Sequence, residues 1–460
     1  MTNTPPDRSR PVHFIGIAGA GMSALAELFV RRGYQVTGCD ANVSSVGDLE
    51  RLGIRVLQGH DPSHVDGAAE IVVTSAVRKD HPELERAREL GIPVTRRAEA
   101  LGRAVSGGEL VGVAGTHGKT TTTVMTTQAL ASAGLDPTGI AGGRVGAWNG
   151  NLSEGGDRLF VVEADEYDRS FHALAPTVAV VTNMEADHLD IYPGGLAEIR
   201  DAFARYIRSA RAIVLCGDDA GASSLPTPST AEVIRYGTTA SSARLVATDI
   251  HSGNGGSTFS CVYDGKALGQ LRLSVPGVHN VRNALAAVSA GIALGVEFPE
   301  MRGGLESFTG VERRFQRIGE ARGVTIIDDY AHHPTEIAAT LEAARSAFKG
   351  RRILAAFQPH LYSRTRDFHA DFASALSLAD LVFLADLYPA REQPIEGVSS
   401  KIISDPMREH GHAPVWEGPR DQLASALRET VREGDVVITI GAGDITRTGP
   451  ELLTLLEKLR

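Results

Sequence analysis

Two glycine loops, with acids, histidines and arginines placed after apolar runs, are the residues of this chain best suited to chemistry. Gly115-Thr116-His117-Gly118-Lys119-Thr120-Thr121 follows the apolar run LVGVA and opens a helix-like stretch. Such a loop turns backbone N–H groups toward phosphate oxygens. Lys119 can then meet the β/γ-phosphate charge, and the Thr120 hydroxyl can bind Mg²⁺. A strict GxxxxGK[ST] pattern needs glycine at position 113, where Val113 stands, so this is a shortened relative of it. Magnesium ligands are expected on nearby strand ends. VVEADEYDRSF supplies Glu163 and Asp165, and TNMEADHLDIY supplies Asn183, Asp187, His188 and Asp190. Mg²⁺ prefers oxygen, so Glu163 is the first candidate. His188 is softer and could bind a second ion or orient a water.

The other loop, Gly19-Ala20-Gly21-Met22-Ser23-Ala24, follows the strand-like residues 12–17. Gly19-x-Gly21-x-x-Ala24 matches a dinucleotide fingerprint ending in alanine, and Asp40 stands where a ribose-binding acid usually sits. Alone, this reads as a site for NAD, but any diphosphate can use such a loop. Further along, Asn280 and Asn283 are spaced by three at a helix start. On residue type alone they read as an N-cap and a polar surface residue. Likewise, Arg313–Arg314 reads as a solvated pair and Asp328–Asp329 as the start of a loop. His333 reads as a packing residue, and Arg366 as a surface ion pair with Asp367 or a neighbour.

The positioning elements alternate strand and helix. YQVTGCD, IRVLQG and EIVVTSA continue the first sheet, and SGG at 106–108 marks a linker. LVGVA, RLFVVEADE, TVAVVTNME and AIVLCGD read as buried parallel strands. Between about 217 and 276 serine, threonine, glycine and proline accumulate, and STFSCVY and GQLRLSV suggest antiparallel strands. HNVRNALAAVSAGIAL and EIAATLEAARSA read as helices, and VTIIDDYA, RRILAAFQP, LVFLADLY and VVITIGAG as strands. The expected fold is α/β in three domains: a Rossmann-like domain at 1–107, a P-loop ATPase-type domain with a small antiparallel portion at 108–309, and a Rossmann-like domain at 310–460.

Composition narrows the class. The 460 residues carry a net charge of −10, which argues against a large nucleic-acid footprint. The 50 glycines exceed the usual share of about 7%, and they are expected in tight turns and ligand loops. Three isolated cysteines without a CxxC exclude a disulfide framework or a zinc cluster and fit a reducing compartment. The polar N-terminus and the lack of a long apolar run point to a cytoplasmic protein with no membrane partner.

The blocks AGTHGKTTT, EADEYDRSF, TNMEADHLDIY, PGVHNVRNALAA, DDYAHHPTE and FQPHLYSRTRD resemble the Mur ligase family over essentially the whole chain. HFIGIAGAGMSALA and DDYAHHP resemble most closely the members that add the first amino acid. The resemblance implies an ADP-forming acid–amino-acid ligase of cell-wall precursor synthesis, acting on UDP-N-acetylmuramate and L-alanine with ATP and Mg²⁺, for which Mn²⁺ is an expected substitute. Gly19, Ala20, Gly21, Met22 and Ser23 would hold the UDP diphosphate rather than NAD, with Asp40 toward the uridine end. Gly115 through Thr121, Asn280, Asn283, Arg314 and Asp329 would bind ATP. Thr120, Glu163 and His188 would be metal ligands. Tyr330, His332, His360 and Arg364 would line the amino-acid site, with Lys119, His332 and Arg364 catalytic. Leu361 stands where some members carry a basic residue. Phe203 occupies the slot where sister ligases carry a carbamoylated lysine, and no lysine lies between Lys119 and Lys266. A monomer or weak homodimer is expected, with closure of the third domain over the second.

Overall fold

The computed structural model describes residues 6–43, 46–189, 191–253, 255–390 and 392–458. Among these residues three sheets follow one another along the chain. The first has five parallel strands in the order Arg55–Gln58, Val36–Asp40, Val12–Ile15, Glu70–Val73 and Val94–Arg96. Strand order reverses direction at Val12–Ile15, so a crevice opens at that strand's carboxyl end, beside the first glycine loop. The helix Ala20–Arg31 covers one face with Met22, Leu25, Ala26 and Phe29, whose spacing forms a single apolar stripe.

The central sheet has ten strands. Its middle runs Glu232–Gly237, Ala212–Cys216, Val178–Val181, Glu109–Ala114, Leu159–Glu163 and Thr138–Val145. These pair in parallel. VAVV and AIVLC are unbroken apolar runs because both of their faces are buried. The expected antiparallel portion is present: Leu245–Gly253, Gly256–Tyr263 and Lys266–Leu273 are sheet neighbours joined through residues 254–255 and 264–265. Connections that short permit only antiparallel neighbours. A further antiparallel pair, Thr138–Val145 with Gly150–Ser153, goes beyond the sequence reading.

The third sheet runs Gln316–Ala321, Val324–Asp329, Val436–Ile440, Ile353–Phe357, Leu381–Ala385 and Trp416–Gly418. All its pairs are parallel except the first. The two outer strands are short or polar, and their patterning is too weak to announce them. Asp328 and Asp329 do not start a loop. They end a strand that is buried along its whole length.

By compactness the chain forms two units, one of residues 1–248, 260–271 and 282–307, the other of 249–259, 272–281 and 308–460. One apolar core runs through the first unit, from Phe14, Leu25 and Phe29 to Phe160, Phe171 and Phe203. In the second unit successive strand residues alternate between two cores, Ile327 and Ala355 on one face, Ile326 and Leu354 on the other. Among the described residues no helix is long and apolar enough to cross a membrane.

Candidate active site

The phosphate loop joins strand Glu109–Ala114 to helix Lys119–Ser132. Two of its positions require glycine. Gly115 has φ +138, and a Cβ there would lie 2.0 Å from Thr182 Oγ1. Gly118 caps the helix at φ +80, and its Cβ would lie 2.7 Å from Asn283 Oδ1. The next strand end cradles the loop. Asn183 Oδ1 accepts from the His117 N–H at 2.7 Å, and Thr182 Oγ1 donates to His117 O at 2.6 Å. Thr116 Oγ1 accepts from the Glu185 N–H at 2.9 Å. Asn183 thus shapes the loop from behind.

Lys119 donates to Gly115 O at 2.6 Å and to the Glu166 carboxylate at 2.9 Å. Burial works against its ammonium, but Glu166, Asp165 and Glu163 outweigh that and hold its pKa above the ordinary lysine value. Burial pushes the Glu166 carboxyl up to about 7. Glu166 is a site residue the sequence reading passed over, because EADEYD reads as a run of solvated loop acids. Its backbone carbonyl accepts from Tyr192 Oη at 2.6 Å.

Glu163 ends the strand beside the loop. Its Oε1 accepts from Thr120 Oγ1 at 3.1 Å, and its Oε2 from the Gly142 N–H. The two expected magnesium ligands of the loop are therefore adjacent, both oxygens. His188 stands in the same cluster at φ +53, with Nε2 3.9 Å from Glu166 Oε1 and 3.6 Å from Asp187 Oδ2. Asp165 accepts from the Tyr167 N–H and so shapes its own turn. Asp190 lies outside the described residues. On helix Val278–Ala293, Asn283 Oδ1 accepts from Thr122 Oγ1 at 3.2 Å. Asn280 donates to Pro276 O at 2.8 Å and closes the helix start.

At the first glycine loop, Gly19 caps helix Ala20–Arg31, and Ala20 through Ser23 form its first turn. Asp40 accepts from the Ala18 N–H at 3.0 Å and from the Asn42 N–H at 3.0 Å, so its carboxylate holds the loop backbone. The Met22 side chain is 3% exposed and packs in the core, because it lies on the helix's inner stripe, so only its backbone is left to face a ligand. Arg97 was not anticipated. A Cβ on Gly21 would lie 2.8 Å from Arg97 Nη1, which puts a guanidinium against the loop. In sequence Arg97 is hidden in TRRAEA, which reads as a solvated helix start.

The second unit gathers its own set. Arg313 and Arg314 both stack on Tyr330, at 4.8 and 5.1 Å. Arg313 also binds Asp328 Oδ2 at 3.3 Å, so it is not a solvated residue. Asp329 accepts from the Phe315 N–H at 2.7 Å and the Ala331 N–H at 2.8 Å, and burial pushes its carboxyl up to about 6. His332 packs edge-on to Tyr330 and to His360, which stacks on Tyr388. His332 Nδ1 lies 3.1 Å from Tyr330 O. A carbonyl only accepts, so Nδ1 carries the proton and Nε2 is the acceptor in the neutral ring. Arg364, 6% exposed, sits in the first turn of helix Tyr362–Leu376. Leu361 before it holds φ +71, unusual for a bulky residue. His333 packs on Phe368, and Arg366 pairs with Asp367 at 2.7 Å, both as expected.

Three family profiles match in series: "Mur ligase family, catalytic domain" at 11–108, "Mur ligase middle domain" at 113–291, and "Mur ligase, glutamate ligase domain" at 313–443. The chain belongs to the Mur ligase family. A UDP-N-acetylmuramate–L-alanine ligase from Salinibacter ruber is 45% identical over 98% of this chain and 96% of its own length. One from Cutibacterium acnes is 44% identical over 98% and 97%. The crystal structure of a UDP-N-acetylmuramate–alanine ligase from Thermotoga maritima has a TM-score of 0.84 at 29% identity, covering 98% of this chain and 100% of that one. In this Mur ligase Phe203 is a core residue, fully buried edge-on to Phe171.

Proposed function

We propose that this Mur ligase joins L-alanine to the lactyl carboxylate of UDP-N-acetylmuramate, with ATP converted to ADP and phosphate, in peptidoglycan precursor synthesis. Full-length similarity to relatives of that name carries the reading. The phosphate loop, with Lys119 and the Thr120–Glu163 pair, supplies chemistry that fits it.

A carboxylate is a poor electrophile, because its carbon is electron-rich and oxide is a poor leaving group. Phosphoryl transfer removes both obstacles. A carboxylate oxygen bonds to the γ-phosphorus, the bond to the β-phosphate oxygen breaks, and ADP leaves. Lys119 Nζ and the loop N–H groups stabilise the migrating charge. Asn280, Asn283, Arg314 and Asp329 are assigned to the rest of ATP. Thr120 and Glu163 would hold Mg²⁺, or Mn²⁺ in its place, and their adjacent oxygens fit its preference. His188 offers a nitrogen at the same cluster. When bound, the ion neutralises charge on the phosphate oxygens.

The amine of L-alanine then attacks the acyl carbon, and the tetrahedral intermediate expels phosphate to leave the amide. Arg364 is assigned to the alanine carboxylate, which a buried guanidinium binds well. Tyr330 and His360 flank that site, and His332 Nε2 takes the ammonium proton. On the sugar nucleotide, the N–H groups of Gly19 through Ser23 and the Arg97 guanidinium are assigned to the diphosphate.

Offering L-alanine and a cell-wall tripeptide in parallel, and reading products by mass, tests the substrate. The proposal expects the alanyl amide alone. A tripeptide adduct in its place would identify a recycling ligase of the same fold.

A further inference from the structure

On the face of the first sheet turned away from helix Ala20–Arg31, three histidines, a cysteine and a glutamate converge. His13 and Cys39 come from neighbouring strands, His60 and His64 from the segment after Arg55–Gln58, and Glu83 from the first turn of helix Pro82–Glu89. Cys39 Sγ lies 3.3 Å from His60 Nδ1 and 3.0 Å from Glu83 Oε2. His60 Nδ1 is 3.6 Å from Glu83 Oε1, and His13 Nε2 is 3.8 Å from Glu83 Oε2. Tetrahedral zinc with thiolate, imidazole and carboxylate ligands has edges of about 3.4–3.6 Å between donor atoms. The donor atoms of His13, Cys39 and Glu83 lie within 4.8 Å of one another, and His60 meets Cys39 and Glu83 at near shell spacing.

Three features mark a built site rather than a buried hydrogen-bond network. His13 is 0% exposed, and its Nε2, buried and facing the glutamate, has no hydrogen-bond partner. Its other nitrogen is held by Thr37 Oγ1 at 2.9 Å, which leaves Nε2 to face the donors. Glu83 is steadied from outside by His64 Nδ1 at 3.0 Å. Charge balances too: one thiolate and one carboxylate neutralise a divalent ion, so the loaded site carries no net charge into the interior.

We infer that Cys39, Glu83, His60 and His13 form a zinc site in the first domain, structural in kind because the protein supplies all four ligands. The thiol gives up its proton when the metal binds. Sulfur and nitrogen donors favour zinc over Mg²⁺, which demands oxygen. Residue spacing pointed the other way, since no CxxC occurs. The ligands lie on separate segments, and only folding brings them together. Strand alternation sets the site back-to-back with the glycine loop, Cys39 facing one side and Asp40 the other.

Metal content and cobalt substitution of the full chain test this. The chain purified without chelator should carry zinc in equimolar amount. The cobalt(II) form should show tetrahedral d–d bands and a thiolate-to-cobalt charge-transfer band. Ions at the phosphate loop meet only oxygen and imidazole and give no such band. Cys39→Ser should abolish the band and weaken zinc binding by at least about 100-fold, beyond the roughly 10–100-fold of outer-shell changes. His60→Gln, at a partly exposed position, should weaken zinc binding in a chain whose circular dichroism is unchanged. Absence of the thiolate band in the wild-type chain, or equal zinc affinity in both variants and the wild type, would overturn the inference.

Discussion

Replacing Lys119 with alanine separates folding from chemistry in one variant. In the folded protein this ammonium bonds to Gly115 O, Thr116 O and Glu166. Truncation removes a buried partner of Glu166, and breaking a buried ion pair commonly costs about 3–5 kcal/mol when a bare charge remains. Here burial already raises the Glu166 carboxyl to about 7, so near neutral pH it takes up a proton instead. The stability loss should therefore stay near 1–3 kcal/mol, a fall in Tm of roughly 1–5 °C in a chain of this size. The chemical loss is larger. Losing one preorganised donor costs about 10²–10³ in rate, and a cation facing the migrating phosphoryl group costs more. We expect kcat to fall by at least about 10³, or about 4 kcal/mol of transition-state stabilisation. No lysine between Lys119 and Lys266 offers a substitute on the adjoining strands. Phosphate release measured beside thermal melting reads both quantities. A folded variant turning over within about tenfold of the wild type would refute the assignment of Lys119.

Three further outcomes follow from the geometry. Gly115→Ala forces an alanine into φ +138 and displaces Thr182 Oγ1 from His117 O. It should cost about 2–4 kcal/mol in denaturant unfolding and reduce turnover by about 10² or more. Arg97→Ala should raise KM for the UDP-sugar by about 10–100-fold at unchanged kcat, the worth of a charged hydrogen bond made equally throughout the reaction; an unchanged KM would remove Arg97 from the diphosphate site. Asp329 titrates at about 6 in the folded protein, above its ordinary 3.8. Its contribution is full below about pH 4 and lost as pH rises through about 6, amounting to roughly 2–3 kcal/mol. Melting of the wild type should carry this step and Asp329→Asn should lack it; parallel pH curves would contradict the burial argument.

The parts of the fold legible in sequence are those buried on both faces. LVGVA, VAVV and AIVLC announce themselves because no polar residue interrupts them. Gln316–Ala321 and Gly150–Ser153 do not, since each is a sheet-edge strand with polar residues and little apolar patterning. The phosphate loop was legible for a different reason: its glycines, lysine and threonines are local in sequence. Glu163 could be picked out as a carboxylate at a strand end. Glu166 and Arg97 could not, because their roles depend on what lies across from them, Lys119 in one case and Gly21 in the other. Met22 divides its roles: its place on the helix stripe turns the side chain inward, which leaves only its backbone to the glycine loop. The Cys39 cluster shows the same limit at longer range.

Phosphate release from ATP, with UDP-N-acetylmuramate and L-alanine each present or omitted, tests the central claim most directly. The account predicts sustained release only with both substrates, matched by one amide product per phosphate. Sustained release with neither substrate, or none with both, would contradict it.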